Sequence, residues 1–159
     1  MLCAVYGFRS SEICQLKLDD LDWENATIRI WRPKQKRRQE YPLVPAVGEA
    51  IIQYLRHARP SSRQREVFLL LNAPFGTLTA QVVYEIVRSR YAKLGIASRM
   101  RGPHSLRHAC AARLIDQGLS LKEVGDHLGH RCASVTSAYT KVDLRSLREV
   151  AAIVEGGVI

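Results

Sequence analysis

The sequence predicts a mainly α-helical domain with one small antiparallel β-sheet, an α+β fold. Apolar residues at helical spacing, with capping residues at the ends, dominate the second half of the chain. Strand-like alternation is confined to a short stretch in the first third, around Ile28 and Ile30. The length of 159 residues and a hydrophobic content of 47% are typical of one soluble globular domain. We therefore expect residues 1–159 to form a single domain.

The first third of the chain is predicted to contain three helices and two strands. Met1–Tyr6 is typical of the last turns of a helix that ends at Gly7, and Ser10 and Ser11 can cap a second helix. Acidic and turn-forming residues separate that helix from the strands. Pro42 lies in the second strand and indicates a sheet edge. The two strands are predicted at 27–31 and 40–44, and the third helix at 47–57.

The rest of the chain is predicted to be helical, because capping residues and glycines divide it into regular segments. Thr79 can cap one helix, and Ser120 with Glu123 forms a capping box for another. Glycines follow three of the predicted helices, where a left-handed residue can end them. The predicted helices lie at 79–94, 104–117, 120–128, 135–140 and 144–154.

The chain is strongly basic, which indicates a polyanionic partner. Lys and Arg number 24 against 15 Asp and Glu, so the formal charge is +9 and the predicted pI is about 9.8. Between the two predicted strands lies a basic turn. A solvated turn and a phosphate-binding turn are both consistent with this composition. Its basic residues are Lys34, Lys36, Arg37 and Arg38.

Several functional classes are not supported by the sequence. The four cysteines are irregularly spaced, so reduced thiols are expected rather than a disulfide scaffold. His127, His130 and Cys132 lie close together, but no second cluster completes a tetrahedral zinc site, and no metal is expected. No apolar run is long enough to span a bilayer, and no signal segment opens the chain. We expect a soluble cytoplasmic protein with no membrane partner.

Five motifs occur in an order that is informative only when they are taken together. Arginine after a glycine turn, or two polar residues one helical turn apart, is common in unrelated proteins. The joint order and spacing are far more specific than any one piece. Together the motifs resemble the catalytic domain of the tyrosine recombinase, or phage integrase, family. They are Gly7-Phe8-Arg9-Ser10-Ser11-Glu12, a lysine in the basic turn, His104-Ser105-Leu106-Arg107-His108, Leu128-Gly129-His130, and Tyr139 nine residues later.

The resemblance implies an enzyme that cuts and rejoins DNA through a covalent 3′-phosphotyrosine. Tyr139 would be the nucleophile, with His104 assisting its deprotonation. Arg9 and Arg107 would bind the non-bridging phosphate oxygens, because guanidinium groups stay charged and bind bidentately. His130 would hydrogen-bond the scissile phosphate, and Glu12 would have a supporting role that orients Arg9 or a histidine.

The same resemblance requires a lysine that protonates the leaving 5′ oxygen. Counting back from Pro42-Leu43, which is similar to the family's Pro-Leu after the second strand, selects Lys34. Pro33 replaces the usual glycine before this lysine, so Lys36 stays an alternative. Lys36, Arg37 and Arg38 are then expected to contact DNA phosphates.

The resemblance also implies the partners. The partner is double-stranded DNA, the active assembly is a homotetramer, and no cofactor, metal, ATP or small-molecule substrate is needed. The protein is then expected at the nucleoid when bound to DNA. Residues 1–159 would correspond to the catalytic domain without the N-terminal core-binding domain and the first catalytic-domain helix.

Two other functions stay open at this point. One is a catalytically inactive DNA-binding remnant or regulator. The other is a type IB topoisomerase-like strand transferase, which the Gly7–Glu12 motif and the short spacing from Leu-Gly-His to Tyr139 disfavour.

Overall fold

The computed structural model describes residues 1–33, 35–96 and 101–129, and within these ranges the predicted α+β class is confirmed. Backbone contacts divide the chain into two units: residues 10–82, and residues 1–9 together with 83–159. The described α-helices are α1 (Leu2–Val5), α2 (Ser10–Cys14), α3 (Pro45–His57), α4 (Ala80–Lys93), α5 (Pro103–Asp116) and α6 (Leu121–Leu128), and Leu18–Asp20 forms a short 3-10 helix. The described strands are β1 (Leu21–Asp22), β2 (Thr27–Arg32) and β3 (Arg37–Pro42).

Residues 10–82 contain an antiparallel sheet in the order β1-β2-β3. Side chains of β2 alternate between two faces, and Ile28, Ile30 and Arg32 all lie on the buried one. Tyr41 of β3 is buried on the same side, because it pairs directly with Ile28. Among the described strands β3 lies at the edge of the sheet, as predicted for the strand that contains Pro42.

Helix α3 and the loop after it complete this unit. Pro45 starts the helix, where its missing N–H costs no hydrogen bond, and Val47 and Ile51 form the buried side. The Tyr54 hydroxyl accepts a hydrogen bond from the backbone N–H of Leu69 at 3.0 Å. The Arg59 guanidinium also donates to backbone carbonyl oxygens of Gln64, Glu66 and Val67, so polar contacts hold the loop that follows α3.

The other unit is built around α5, whose buried side is made of small residues. Ala109, Cys110, Ala111 and Ala112 are all buried, and α1 packs against this helix. The Arg113 guanidinium donates to the carbonyl oxygens of Ala4 (3.3 Å) and Val5 (2.9 Å). These carbonyls lie in the last turn of α1 and have no partner within so short a helix. Residues 1–9 are therefore anchored to α5.

The terminators and caps predicted in this unit are confirmed. Gly7, Gly95, Gly118 and Gly129 all have positive φ. The Ser120 and Glu123 capping box is present at the start of α6. The segments predicted at 135–140 and 144–154 lie outside the described residues.

Three details of the prediction are wrong. Residues 19–25 include a short strand, β1, because pairing with β2 overrides their turn propensity. Strand β3 begins at Arg37 rather than Glu40, so Arg37 and Arg38 belong to a strand. The apolar spacing within 79–94 also predicts a buried stripe that includes Ile86 and Leu94, but these two residues are 50% and 40% exposed. Apolar periodicity alone did not identify which part of that stripe is covered.

Candidate active site

The glycine turn before Arg9 is tightly packed against the end of α6. Gly7 has φ of +66°, and a Cβ atom at this position would lie 2.5 Å from Cδ2 of Leu128. Leu128 is fully buried, so it has little room to move away. The Gly7 carbonyl oxygen also accepts a hydrogen bond from Nη1 of Arg107. Both the conformation and the space therefore require glycine.

Arg107 is a buried arginine whose guanidinium is held by backbone carbonyl groups. The residue is only 2% exposed. Its Nη2 donates to the carbonyl oxygen of Leu128 at 2.6 Å, in addition to the bond from Nη1 to Gly7. A buried guanidinium needs such acceptors, because leaving its N–H groups without partners is costly. Hydrogen bonds to neutral carbonyls orient the group without cancelling its charge.

Arg9 reaches the same end of α6. Its Nη1 and Nη2 lie 3.5 Å and 3.3 Å from the carbonyl oxygens of Leu128 and Gly129. Carbonyl groups in the last turn of a helix lack intrahelical donors and carry partial negative charge. The Leu128 carbonyl thus serves both Arg9 and Arg107. The structure brings together two of the arginines predicted to bind phosphate.

The start of α5 positions the predicted base, His104. Pro103, which precedes His104, occupies the first turn of the helix, and Ser105, which follows His104, is buried. Its hydroxyl lies 2.8 Å from the Tyr91 hydroxyl and donates to the Gly102 carbonyl at 2.6 Å. These bonds fix the backbone on both sides of His104.

His104 and His108 form an edge-to-face pair on α5. Their ring centroids are 4.5 Å apart and the rings are inclined by 87°. Burial, and then the positive charges of Arg107 and Arg9, lower the pKa of His104. Burial, with smaller effects of His104 and Arg107, lowers the pKa of His108 to about 4. Both imidazoles are therefore neutral near pH 7, the form in which a histidine can accept a proton.

Other predicted site residues lie in the unit that comprises residues 10–82, or outside the described residues. Lys36 has φ of +50° in the turn after β2, and Arg37 and Arg38 are exposed on β3. Lys34, His130 and Tyr139 are outside the described residues. Their predicted roles stay predictions.

Glu12 occupies a buried position on α2 and contacts a residue that the sequence analysis missed. The side chain is 2% exposed, and its Oε2 accepts a hydrogen bond from Nη1 of Arg32 at 2.7 Å. Arg32 follows Ile28 and Ile30 on the buried face of β2, at alternate positions. A longer predicted strand would have placed this arginine in the core, where it needs an acidic partner.

Neither a metal site nor a membrane span is found in the described part of the chain. No group of three or more His, Cys, Asp or Glu side chains there is arranged to hold a metal ion. No helix of the described residues is long and apolar enough to cross a membrane.

Comparison with known proteins identifies the same family as the motifs. The model of the phage integrase family matches residues 1–145. The putative integrase/recombinase y4gC of Sinorhizobium fredii is 40% identical over 151 residues, which cover 94% of this chain and 78% of the relative. The tyrosine recombinase XerC of Thermodesulfovibrio yellowstonii is 35% identical over 150 residues, covering 91% of this chain and 49% of that relative.

A solved structure supports the same assignment. The XerH site-specific recombinase bound to its difH substrate, in a pre-cleavage complex, superposes with a TM-score of 0.75 and 27% identity. The match covers 97% of this chain and 45% of the XerH chain. The present chain thus spans about half the length of XerC and of XerH.

Proposed function

Because this chain belongs to the phage integrase family, we propose that it cuts and rejoins DNA as a site-specific tyrosine recombinase with Tyr139 as the nucleophile. The Tyr139 oxygen attacks the scissile phosphorus, and the bond from phosphorus to the 5′ oxygen breaks. The products are a 3′-phosphotyrosine and a free 5′ hydroxyl. Attack by the 5′ hydroxyl of another strand then reverses the step without ATP.

One observation carries this proposal: two guanidinium groups and a neutral imidazole lie around the end of α6 and the start of α5. In phosphoryl transfer most of the catalysis comes from positioning and from charge stabilisation. Arg9 and Arg107 supply fixed positive charge for the two non-bridging oxygens of the phosphate. Their backbone carbonyl partners pre-orient them, so little reorganisation is needed when DNA binds.

Proton transfer from the nucleophile is assigned to His104. A phenol has a pKa of about 10, so Tyr139 must lose its proton as it attacks. The pKa of His104 is lowered by burial and by Arg107 and Arg9, which keeps the imidazole neutral and able to accept that proton. We assign His130, which follows Gly129, a hydrogen bond to the same phosphate.

The leaving oxygen is assigned a proton from Lys34. An alkoxide is a poor leaving group in water, so protonation as the bond breaks lowers the barrier. In the sequence Lys34 falls between the residues of β2 and those of β3, and Lys36, in the same interval, is the alternative donor. A Lys36→Ala variant that stalls cleavage, with an active Lys34→Ala variant, would reverse this assignment.

Double-stranded DNA is the proposed partner. The net charge of +9 and the exposed Arg37 and Arg38 on β3 support contacts with several phosphates. Exchange between two sites breaks four strands, and each break uses one tyrosine. We therefore propose a homotetramer as the assembly that recombines DNA.

Covalent capture tests this function without a known target sequence. The full chain is incubated with nicked duplexes of randomised sequence, so that cleavage releases a short strand and traps the protein. After denaturation, DNA that stays linked to protein is recovered and sequenced. We expect an enriched site with wild type and no linked DNA with Tyr139→Phe.

Two further variants test phosphate binding by the arginines, and the behaviour of wild type separates the competing functions. Arg107→Ala and Arg9→Ala are expected to lose the adduct because the charged phosphate oxygens lose their partners. Absence of any adduct from wild type, with retained duplex binding, would favour an inactive DNA-binding protein. Adduct formation and supercoil relaxation at random sites would favour a topoisomerase.

A further inference from the structure

We propose that Arg32 is a positioning residue. It holds the end of β2, where the turn to β3 begins, so that the lysine of this turn is aligned with the leaving oxygen. The inference rests on the proposed function, in which Lys34 is the proton donor. Arg32 is the last residue of β2 and pairs with Arg37, the first residue of β3. Its backbone is therefore the point where the turn begins.

The side chain of Arg32 is held from three directions inside the unit of residues 10–82. Its Nη1 donates to Glu12 Oε2 at 2.7 Å, and its Nε donates to Gln39 Oε1 at 3.1 Å. Its Nη2 donates to the Tyr41 hydroxyl. Arg32, Glu12 and Tyr41 are all buried, with Arg32 only 1% exposed. The Arg32 guanidinium thus connects the end of β2 to both β3 and α2 through hydrogen bonds.

Stability alone does not account for this arrangement. Ile28 and Ile30 occupy the same buried face, so an apolar residue at position 32 would continue the core. Replacing a buried ion pair by apolar residues of similar size is often neutral or stabilising. Apolar contacts do not fix the orientation of a side chain, whereas charge-assisted hydrogen bonds fix the orientation of a planar guanidinium. The buried group therefore specifies geometry at the strand end.

The turn itself needs such support. Lys36 has φ of +50°, a conformation that residues with a side chain rarely adopt. The backbone N–H of Gln35 donates to the Arg32 carbonyl at 3.0 Å, so the turn is bonded directly to the clamped residue. A strained backbone conformation is kept only where contacts with the surrounding structure hold it in place. The Arg32 contacts supply that constraint at the first residue of the turn.

The test separates positioning of the proton donor from general damage. The paired variant Glu12→Leu/Arg32→Met removes both buried charges together, so no uncompensated charge is left in the core. Tyr41→Phe removes one hydrogen bond to Arg32 and keeps the ring. The matched control is Glu40→Gln, which breaks the exposed ion pair with Arg29 (3.1 Å) between the same two strands. Thermal melting checks the folding of each variant.

Single-turnover cleavage is measured on the duplex recovered by covalent capture, in two forms. One has the natural 5′ oxygen at the scissile bond, and the other has sulfur at that bridging position. A thiolate leaves without protonation because its conjugate acid is much stronger than an alcohol. A defect in the proton donor therefore disappears on the sulfur substrate, whereas a defect in phosphate binding by Arg9 or Arg107 persists.

We expect the paired variant to cleave the oxygen substrate about 100-fold more slowly than wild type, as misplacement by about 1 Å can do. On the sulfur substrate its rate should return close to that of wild type. Tyr41→Phe should show a smaller loss with the same rescue, and Glu40→Gln should match wild type on both. Arg9→Ala should stay defective on both substrates.

Several results would overturn the inference. The paired variant could cleave the oxygen substrate at the wild-type rate, which would show that the Arg32 contacts are not needed. If the paired variant does not fold, a wild-type rate for Tyr41→Phe would show the same. Equal losses on both substrates would assign Arg32 a purely structural role. If wild type cleaves neither substrate, the proposed function and this inference fail together, whereas an active wild type with no sulfur rescue refutes only the inference.

Discussion

Replacement of Gly7 by alanine tests how the site is assembled. Gly7 has φ of +66°, and forcing an alanine into the left-handed region costs about 1–2 kcal/mol. The new Cβ would also lie 2.5 Å from Leu128 Cδ2 and 3.4 Å from Cys110 Sγ. Both neighbours are fully buried, so relieving the overlap costs about 1–3 kcal/mol more. We expect Gly7→Ala to lower the free energy of unfolding by about 2–5 kcal/mol.

Gly95→Ala is the matched control, because φ there is +65° and no described atom lies within 4 Å of the added Cβ. This variant should lose only the conformational term, about 1–2 kcal/mol. Urea unfolding of both variants and wild type measures the difference. Equal losses for the two variants would refute the packing argument. Adduct formation by Gly7→Ala should fall as well, because the Gly7 carbonyl is a partner of Arg107.

Two further predictions concern pH and salt. The pKa of His108 in the folded protein is about 4, below the usual value of 6.5. Between pH 4 and pH 6.5 this imidazole is therefore protonated in the unfolded chain but neutral in the folded protein. Stability should therefore be complete above about pH 6.5 and fall as the pH is lowered towards 4, and His108→Asn should reduce this dependence in urea unfolding at pH 7 and pH 5. An unchanged dependence would contradict the assignment. Arg37→Ala should weaken duplex binding and reduce the slope of log K against log salt by about 1, with little change in the cleavage rate at saturating protein. An unchanged slope would argue against phosphate contact by Arg37.

Local signals were sufficient to predict much of the fold. The capping box of Ser120 and Glu123, and the left-handed glycines at 7, 95, 118 and 129, depend on a few neighbouring residues and are confirmed. Strand β1 was missed because its formation depends on pairing with β2. The start of β3 was misplaced for the same reason, since a run of arginines has no strand propensity of its own.

The motifs predicted Arg9 and Arg107 as candidate phosphate ligands, but not how their side chains are held. The bond between Arg107 and Gly7 joins residues 100 positions apart, and no local pattern reports such a contact. Arg9 and Arg107 both donate to the backbone carbonyl oxygen of Leu128. Every residue has such a carbonyl, so the sequence does not show which one is the acceptor. Arg32 was detectable in principle, because it continues the alternation of Ile28 and Ile30.

The most direct test of the central claim is the identity of the residue that becomes linked to DNA. The wild-type adduct from covalent capture is digested with nuclease and protease, and the peptide that retains a nucleotide is sequenced by mass spectrometry. The proposed mechanism predicts a 3′-phosphate ester on Tyr139, one of six tyrosines in the chain. Linkage to another residue, or to a 5′-phosphate, would contradict it.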